Sequence, residues 1–349
     1  MSKQNFIKRP LRQPATLKDI ARITGYSVNT VSRALRDKKD ISAETKEKIK
    51  KISLDMGYIN NAQASSLRLG HTNTIAVILG DISNPYFGIQ MKEIENRARE
   101  QGYSSFLINT NENTEMEREA IQSALNKNVD GILICPSQHN EDTIRYLMET
   151  GMPFVQIGRY FENLEAGYVL QNDELGGYQA VKHLIDNGHQ DILMLNGPLY
   201  VSASRGRLAG YKRALTEAGL PVKPELIREV PIIGDGCSAV ISAVLREKLQ
   251  FSAIFAFSDL IALDVWACLK NQGRHVPEDY SLIGFDNIQS RLAMPFRLST
   301  VSANEIKMAA IAIDFLIGIM KGNRGDTFHH LIVDTELIPG ETVRPLHKK

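Results

Sequence analysis

At 349 residues the chain is long enough for two or three domains. Its net charge of +1 hides a split: residues 1–73 hold 15 Lys and Arg against 6 Asp and Glu, and the remainder holds 26 against 34, so a polyanionic partner is expected for the head alone. Three isolated cysteines (Cys135, Cys237, Cys268) argue against a disulfide framework and fit a reducing cytosol, and the absence of a long apolar run or a signal-peptide core argues against a membrane partner or export, so the expectation is a soluble cytoplasmic protein.

In chain order, residues 1–14 are polar and basic, with Pro10 and Pro14 opposing helix. They read as a disordered arm, a solvated tail more than a DNA contact. Thr16 to Leu35 (TLKDIARITGYSVNTVSRAL) follows. Thr16 is a suitable helix N-cap, and Leu17, Ile20, Ala21 and Ile23 form an apolar stripe at helical spacing. Gly25 ends that helix. Ser27 caps a second one, with Val31, Ala34 and Leu35 inward and Val28, Asn29, Ser32 and Arg33 outward. Two short helices joined by a Gly-containing turn form a helix-turn-helix, whose second helix reads the DNA major groove. Asn pairs with adenine, Arg with guanine, and Val touches the thymine methyl. An ordinary helical hairpin inside a core would share this pattern.

A turn over Arg36–Asp40 leads to Ser42 as a third N-cap, with Glu44 and Glu47 in the early turns where the helix dipole favours acid. Ile49, Ile52 and Met56 give the inward stripe, and Gly57 ends the helix. Lys46, Lys48, Lys50 and Lys51 read as exposed, either as phosphate contacts or as a solvated face. Asn60 to Gly70 (NNAQASSLRLG) has room for about two helical turns over Ala62–Arg68, which is marginal alone. Leu67 could wedge between base steps of a minor groove or lie against the body.

The runs T-L-K-D-I-A, S-V-N-T-V-S-R-A-L, I-S-A-E-T-K-E-K-I, M-G-Y and A-x-A-x-S-L-R-x-G follow one another here. In order and spacing they resemble the lactose-repressor (LacI/GalR) family, over nearly the whole chain. The resemblance implies a DNA-binding set of Thr16, Leu17, Ser27, Val28, Asn29, Thr30, Ser32, Arg33, Asn61, Ala64 and Leu67. In that set Val28, Asn29 and Arg33 read the operator, and Leu67 is the intercalating hinge leucine. Two positions depart from the family pattern: Asn60 stands where Pro is usual and Ser65 where Arg is usual, so the hinge lacks one expected DNA contact.

From Thr74 the chain alternates apolar strands (Thr74–Leu79, Ser105–Ile108, Gly131–Ile134, Phe154–Ile157, Ile192–Leu195, Ala253–Phe257, Ser281–Phe285) with amphipathic helices. Those helices include Phe87–Gln101, Thr114–Asn128, Glu174–Asn187, Arg205–Ala218, Leu260–Gln272 and Glu305–Lys321. This rhythm predicts two blocks of parallel sheet covered by helices, with ligands at the carboxyl ends of the strands. It is similar to the type I periplasmic-binding-protein fold, with two doubly wound lobes and crossings near Asn172, Ser302 and Asp334. The expected domains are the arm 1–14, an all-α helix-turn-helix domain 15–60, and a hinge helix and linker 61–73. An α/β effector domain follows, with an N-terminal lobe of 74–171 plus 303–333 and a C-terminal lobe of 172–302 plus 334–349.

Strand ends supply the effector candidates. Asp286, Arg207 and Asp259 come first, then Asn172, Arg159, Phe87 and Tyr86. Carboxylates and Arg suit hydroxyls, and an aromatic suits a sugar ring; helix capping is the competing role for Asp259 and Asp173. Purine-binding relatives carry Arg where this chain has Val201, which favours a sugar or polyol. The resemblance implies a homodimer on a near-palindromic double-stranded operator, without the C-terminal heptads that make tetramers. A small sugar or sugar-phosphate effector would control a repressor of carbohydrate metabolism, with a catabolite-control regulator answering to a phosphoprotein as the alternative. An enzyme is disfavoured. Gly234-Asp-Gly236 is half a dinucleotide fingerprint lacking its third Gly and its acid, and the eight His are scattered. No catalytic residue, cofactor or metal site is expected.

Overall fold

The computed structural model describes residues 15–58, 71–234, 236–322 and 330–346. The chain divides into two compact units, Met1–Gly70 and His71–Lys349, and each is taken by itself. The expected arm and hinge helix, with Asn60, Asn61, Ala64, Ser65 and Leu67, lie outside the described residues.

The first unit contains α1 (Leu17–Thr24), α2 (Val28–Leu35) and α3 (Ala43–Asp55). Each start is fixed by a hydroxyl. Thr16 and Asp19 form a reciprocal capping box, Ser27 accepts from the Thr30 N–H at 3.0 Å, and Ser42 accepts from Thr45. Gly25 closes α1 in the left-handed conformation at φ 74°, as the tight turn requires. Ile20, Ala21, Val31, Ala34 and Ile49 form the core, flanked by Leu17, Leu35, Ile52 and Met56. Two readings need correction. Ile23 is 56% exposed; the inward place on that turn belongs to Thr24, whose hydroxyl donates to the Ile20 carbonyl at 2.7 Å and so can be buried. Lys46 is half-buried because it folds onto Asp37 at 3.3 Å.

The second unit is built on two parallel sheets. The first takes β1 (Thr74–Leu79), β2 (Ser104–Asn109), β3 (Gly131–Ile134), β4 (Phe154–Ile157), β5 (Tyr168–Gln171) and β11 (His330–Val333), in the order β2-β1-β3-β4-β5-β11. The second takes β6 (Ile192–Asn196), β7 (Ile227–Glu229), β8 (Ala253–Ala256) and β9 (Ser281–Ile283), in the order β7-β6-β8-β9. Between them, β10 (Thr300–Ser302) and β12 (Glu336–Ile338) pair antiparallel.

Period-2 alternation splits each strand between two faces. On the first sheet, Ile75, Val77 and Leu79 turn to α4 (Pro85–Glu100) and α11 (Glu305–Met320). Ala76, Ile78, Ile132 and Ile134 turn to α5 (Thr114–Asn126) and α6 (Asp142–Thr150). On the second sheet, Met194 and Phe255 face α7 (Asp173–Asp186) and α8 (Ser202–Glu217). Leu193, Leu195 and Ile254 face α9 (Cys237–Arg246) and α10 (Asp259–Asn271). Helices α7 and α8 touch backbone to backbone, since a Cβ at Gly177 would stand 2.4 Å from the Arg207 carbonyl and one at Gly210 2.2 Å from that of Glu174. That contact holds the first turn of α7 against the middle of α8, which places Asp173 beside Arg207.

In both sheets the strand order reverses beside the first strand, β1 or β6, and crevices open at such points outside the carboxyl ends of the strands. The half-fingerprint has no strand leading into it: β7 stops at Glu229, and Pro231 fills the space a Gly236 side chain would need.

Candidate nucleic-acid interface and ligand cleft

On the first unit, α2 presents Val28, Asn29 and Arg33 to solvent. Thr30 and Ser32 are half-buried; Ser32 accepts from Arg36 at 2.9 Å, and Ser27 is spent on the cap. Leu17 leans on the core, and Thr16 sits in its capping box. Arg33 pairs with Asp40 at 2.5 Å, and Lys46 and Lys50 converge on Asp37 at 3.3 Å. These partners hold both carboxyls below their ordinary range. The outward row therefore carries one amide, one guanidinium paired with Asp40 and one small apolar group, all exposed.

On the second unit, the ends of β1, β4, β6 and β8 and the loop after β9 enclose a cleft lined by Asp81, Tyr86, Phe87, Gln90, Glu112, Arg159, Gln171, Arg207 and Asp286. Its free space is about 50 Å³, less than two waters' share of liquid volume. Arg207 lies between the aromatic faces of Phe285 (3.6 Å) and Phe257 (4.3 Å). Its Nε donates to Asp173 at 2.9 Å, one Nη donates to the Phe257 carbonyl, and the other lies 3.9 Å from Asp286. Burial raises Asp286 well above the usual carboxylate value, with Arg207 opposing, and it raises Asp173 in the same way. Tyr86 meets Phe87 edge to face at 5.3 Å and donates to Gln171 at 3.3 Å.

Arg159 faces Glu112 through two hydrogen bonds, 2.5 and 2.9 Å long. Burial opposes the guanidinium charge, and Glu112 more than offsets it, holding Arg159 above its ordinary value. Outside this lining, Gln138 accepts from the Ser202 N–H at 2.8 Å and donates to the Tyr160 carbonyl at 2.6 Å.

Two expected residues sit apart from this lining. Asn172 caps α7 by accepting from the Leu175 N–H at 3.1 Å, and it donates to Asp334 at 3.1 Å. Asp259 is fully buried. It takes the Thr300 hydroxyl at 2.6 Å and the Ile288 N–H at 2.9 Å, while Ser258 caps α10. Asp259 thus fixes the loop that carries Asp286. Glu112 was not among the expected contacts; Asp173 was expected beside Asn172 at the first crossing, with helix capping as its competing role.

Asp259 makes a pH prediction. Burial pushes it up to about 7, against its hydrogen bonds. The folded state therefore holds this proton more tightly than the unfolded chain. The stability tied to it is present at acid pH, falls as pH rises from the ordinary value of 3.8, and is lost above about 7. The slope approaches at most about 1.4 kcal/mol per pH unit. Between pH 5 and 7.5 the melting temperature should fall more steeply in the parent than in Asp259→Asn; equal slopes would refute the assignment.

A base-reading helix pair joined to a two-sheet binding module is the architecture of a ligand-responsive transcriptional regulator. The family model described as bacterial regulatory proteins, lacI family, matches residues 16–61, and the one described as periplasmic binding proteins and sugar binding domain of LacI family matches residues 72–311. The chain belongs to the LacI family. The ribose operon repressor of Haemophilus influenzae is 30% identical over 95% of this chain and 99% of its own length. The HTH-type transcriptional repressor PurR of Actinobacillus pleuropneumoniae is 31% identical over 96% of this chain and all of its own. The crystal structure of the lac repressor dimer bound to operator and an anti-inducer superposes with a TM-score of 0.83, at 23% identity, over 95% of this chain and all of that one. The chain is thus a DNA-binding repressor of this family and not an enzyme. Among the described residues no helix is long and apolar enough to cross a membrane.

Proposed function

We propose that the chain represses genes of carbohydrate metabolism, binding a near-palindromic operator as a homodimer under the control of a small sugar or sugar derivative in the cleft. The carrying observation is Arg207, held between two phenylalanine faces and two carboxylates beside Tyr86 and Phe87. Such a set offers donors, acceptors and a flat apolar wall, which is what a ring bearing hydroxyls needs. Val201, buried and apolar at the start of α8, supports a sugar over a purine.

The mechanism follows from size. A sugar exceeds the free space of the cleft as it stands, so the lining must move to admit it. If the spacing of the two heads depends on that movement, ligand and operator alter each other's affinity by one factor. The test is a thermal-shift screen of sugars and polyols, followed by operator titrations with each hit. A hit should change operator affinity, and operator should change its affinity equally. A panel in which every binder leaves operator affinity unchanged would overturn the reading.

A further inference from the structure

Glu112 is the side chain around which one end of the cleft is shaped. It follows β2 on a turn where Asn111 and Glu112 both hold left-handed backbone, at φ 49° and 53°. Left-handed geometry is uncommon for residues with a Cβ. Its N–H donates to the Gly80 carbonyl at 3.1 Å. Gly80 leaves the space the carboxylate uses, since a Cβ there would stand 2.0 Å from Glu112 Oε1. The carboxylate then accepts two hydrogen bonds from Arg159, 2.5 and 2.9 Å long, and Arg159 also donates to the Pro136 carbonyl at 3.2 Å. The two side chains are only 6% and 9% exposed.

At the other end Arg207 is engaged by Asp173 and lies near Asp286. Among the described residues the lining contains no lysine or histidine, and Asp81 adds a further carboxylate. Every guanidinium in the cleft therefore already has a carboxylate partner. We propose that Glu112 occupies the place an anionic group would take on Arg159, so that the cleft selects uncharged sugars or polyols and rejects their phosphates and acids. This rests on reading the cleft as the effector site, and it narrows the class of effector.

An entering phosphate would have to displace Glu112 and leave a buried carboxylate unpaired, or else approach the Asp81 carboxylate. Like charges brought together in such a place are strongly disfavoured. A hydroxyl meets no such conflict. It donates to the carboxylates and accepts from Gln90 Nε2, which is buried and without a partner among the described residues.

The experiment compares the full-length parent, Glu112→Gln and Glu112→Ala by thermal shift and calorimetric titration. The probes are ribose, glucose, ribose 5-phosphate, glucose 6-phosphate and inorganic phosphate. In the parent, any sugar that binds should do so about a hundredfold or more tighter than its phosphate, and inorganic phosphate should give no shift. In Glu112→Ala, inorganic phosphate should raise the melting temperature by filling the vacated place on Arg159. If Glu112→Ala does not fold, the isosteric Glu112→Gln should still narrow the preference about tenfold or more. A parent that binds a phosphosugar as tightly as its sugar, or variants with no gain toward phosphate, would overturn the proposal. If no sugar binds the parent but phosphate still stabilises Glu112→Ala, the sugar reading falls while the role of Glu112 stands.

Discussion

Arg207→Met is expected to cost the second unit several kilocalories per mole and to abolish effector binding in the cleft. Methionine keeps most of the contact with Phe257 and Phe285, so packing is largely conserved. What is lost is the countercharge for Asp173 and the nearby Asp286, both buried carboxyls. Removing one member of a buried ion pair typically costs about 3–5 kcal/mol, because the other is left uncompensated. In a unit of this size that lowers the melting temperature by roughly 6–20 °C. Arg207→Lys separates charge from shape: it restores the positive charge but lacks the planar fork that reaches Asp173 and the Phe257 carbonyl together. Its expected outcome is partial recovery of stability without recovery of binding. An Arg207→Met protein as stable as the parent, and equally responsive to a sugar found by the screen, would remove Arg207 from the centre of the site.

Burial along the strands decides which of them are legible in the sequence. Most strands that surfaced in the sequence are runs with an apolar body such as TIAVIL and ILMLN, buried along nearly their whole length, and the edge strand β2 surfaced on its central apolar residues alone. Those that did not surface have three or four residues each, β5 (YVLQ) among them although it is largely buried inside its sheet. Strands β7, β10 and β12 have three residues each, and β11 is an edge strand with His330 and Ile332 exposed. Their hydrogen bonds depend on partners distant in sequence, which local pattern does not encode. Helix α9 starts directly after Gly236, where the chain needs room beside Pro231 and not a phosphate.

The cleft divides the same way. Arg159, Arg207 and Asp286 stand just past strand ends or open a helix, so the strand rule finds them. Glu112 lies three residues beyond β2, inside a polar run (NTNENTE), and reaches the cleft only through a left-handed turn and a vacancy at Gly80. Asn172 and Asp259 also stand at strand ends, yet the backbone groups of α7 and of the Asp286 loop claim their oxygens. Sequence places a polar side chain near an opening; which neighbour captures it is decided by distances of tenths of an ångström.

The other large effect belongs to the first unit. Asn29→Ala with Arg33→Ala is expected to remove about 2–6 kcal/mol of specific operator binding if the two add, since a good bidentate base contact is worth about 1–3 kcal/mol. Both side chains are exposed and outside the core of Ile20, Val31, Ala34 and Ile49, so the fold should survive. Arg33 must first leave Asp40. That exposed pair contributes little, and guanine O6 and N7 offer the same guanidinium a bidentate partner. The operator would be selected with the full-length chain from a randomised duplex library, and affinities measured at several salt concentrations. The double variant should bind the selected and a scrambled duplex almost equally while keeping the salt dependence of the parent. Lys51→Gln, on the exposed side of α3, should act in the opposite sense if it meets a phosphate. It would weaken all sequences alike and reduce the salt slope by about one. Should the double variant keep its preference for the selected duplex, α2 is not the reading helix, and the caps at Thr16 and Ser27 serve only an ordinary helical hairpin.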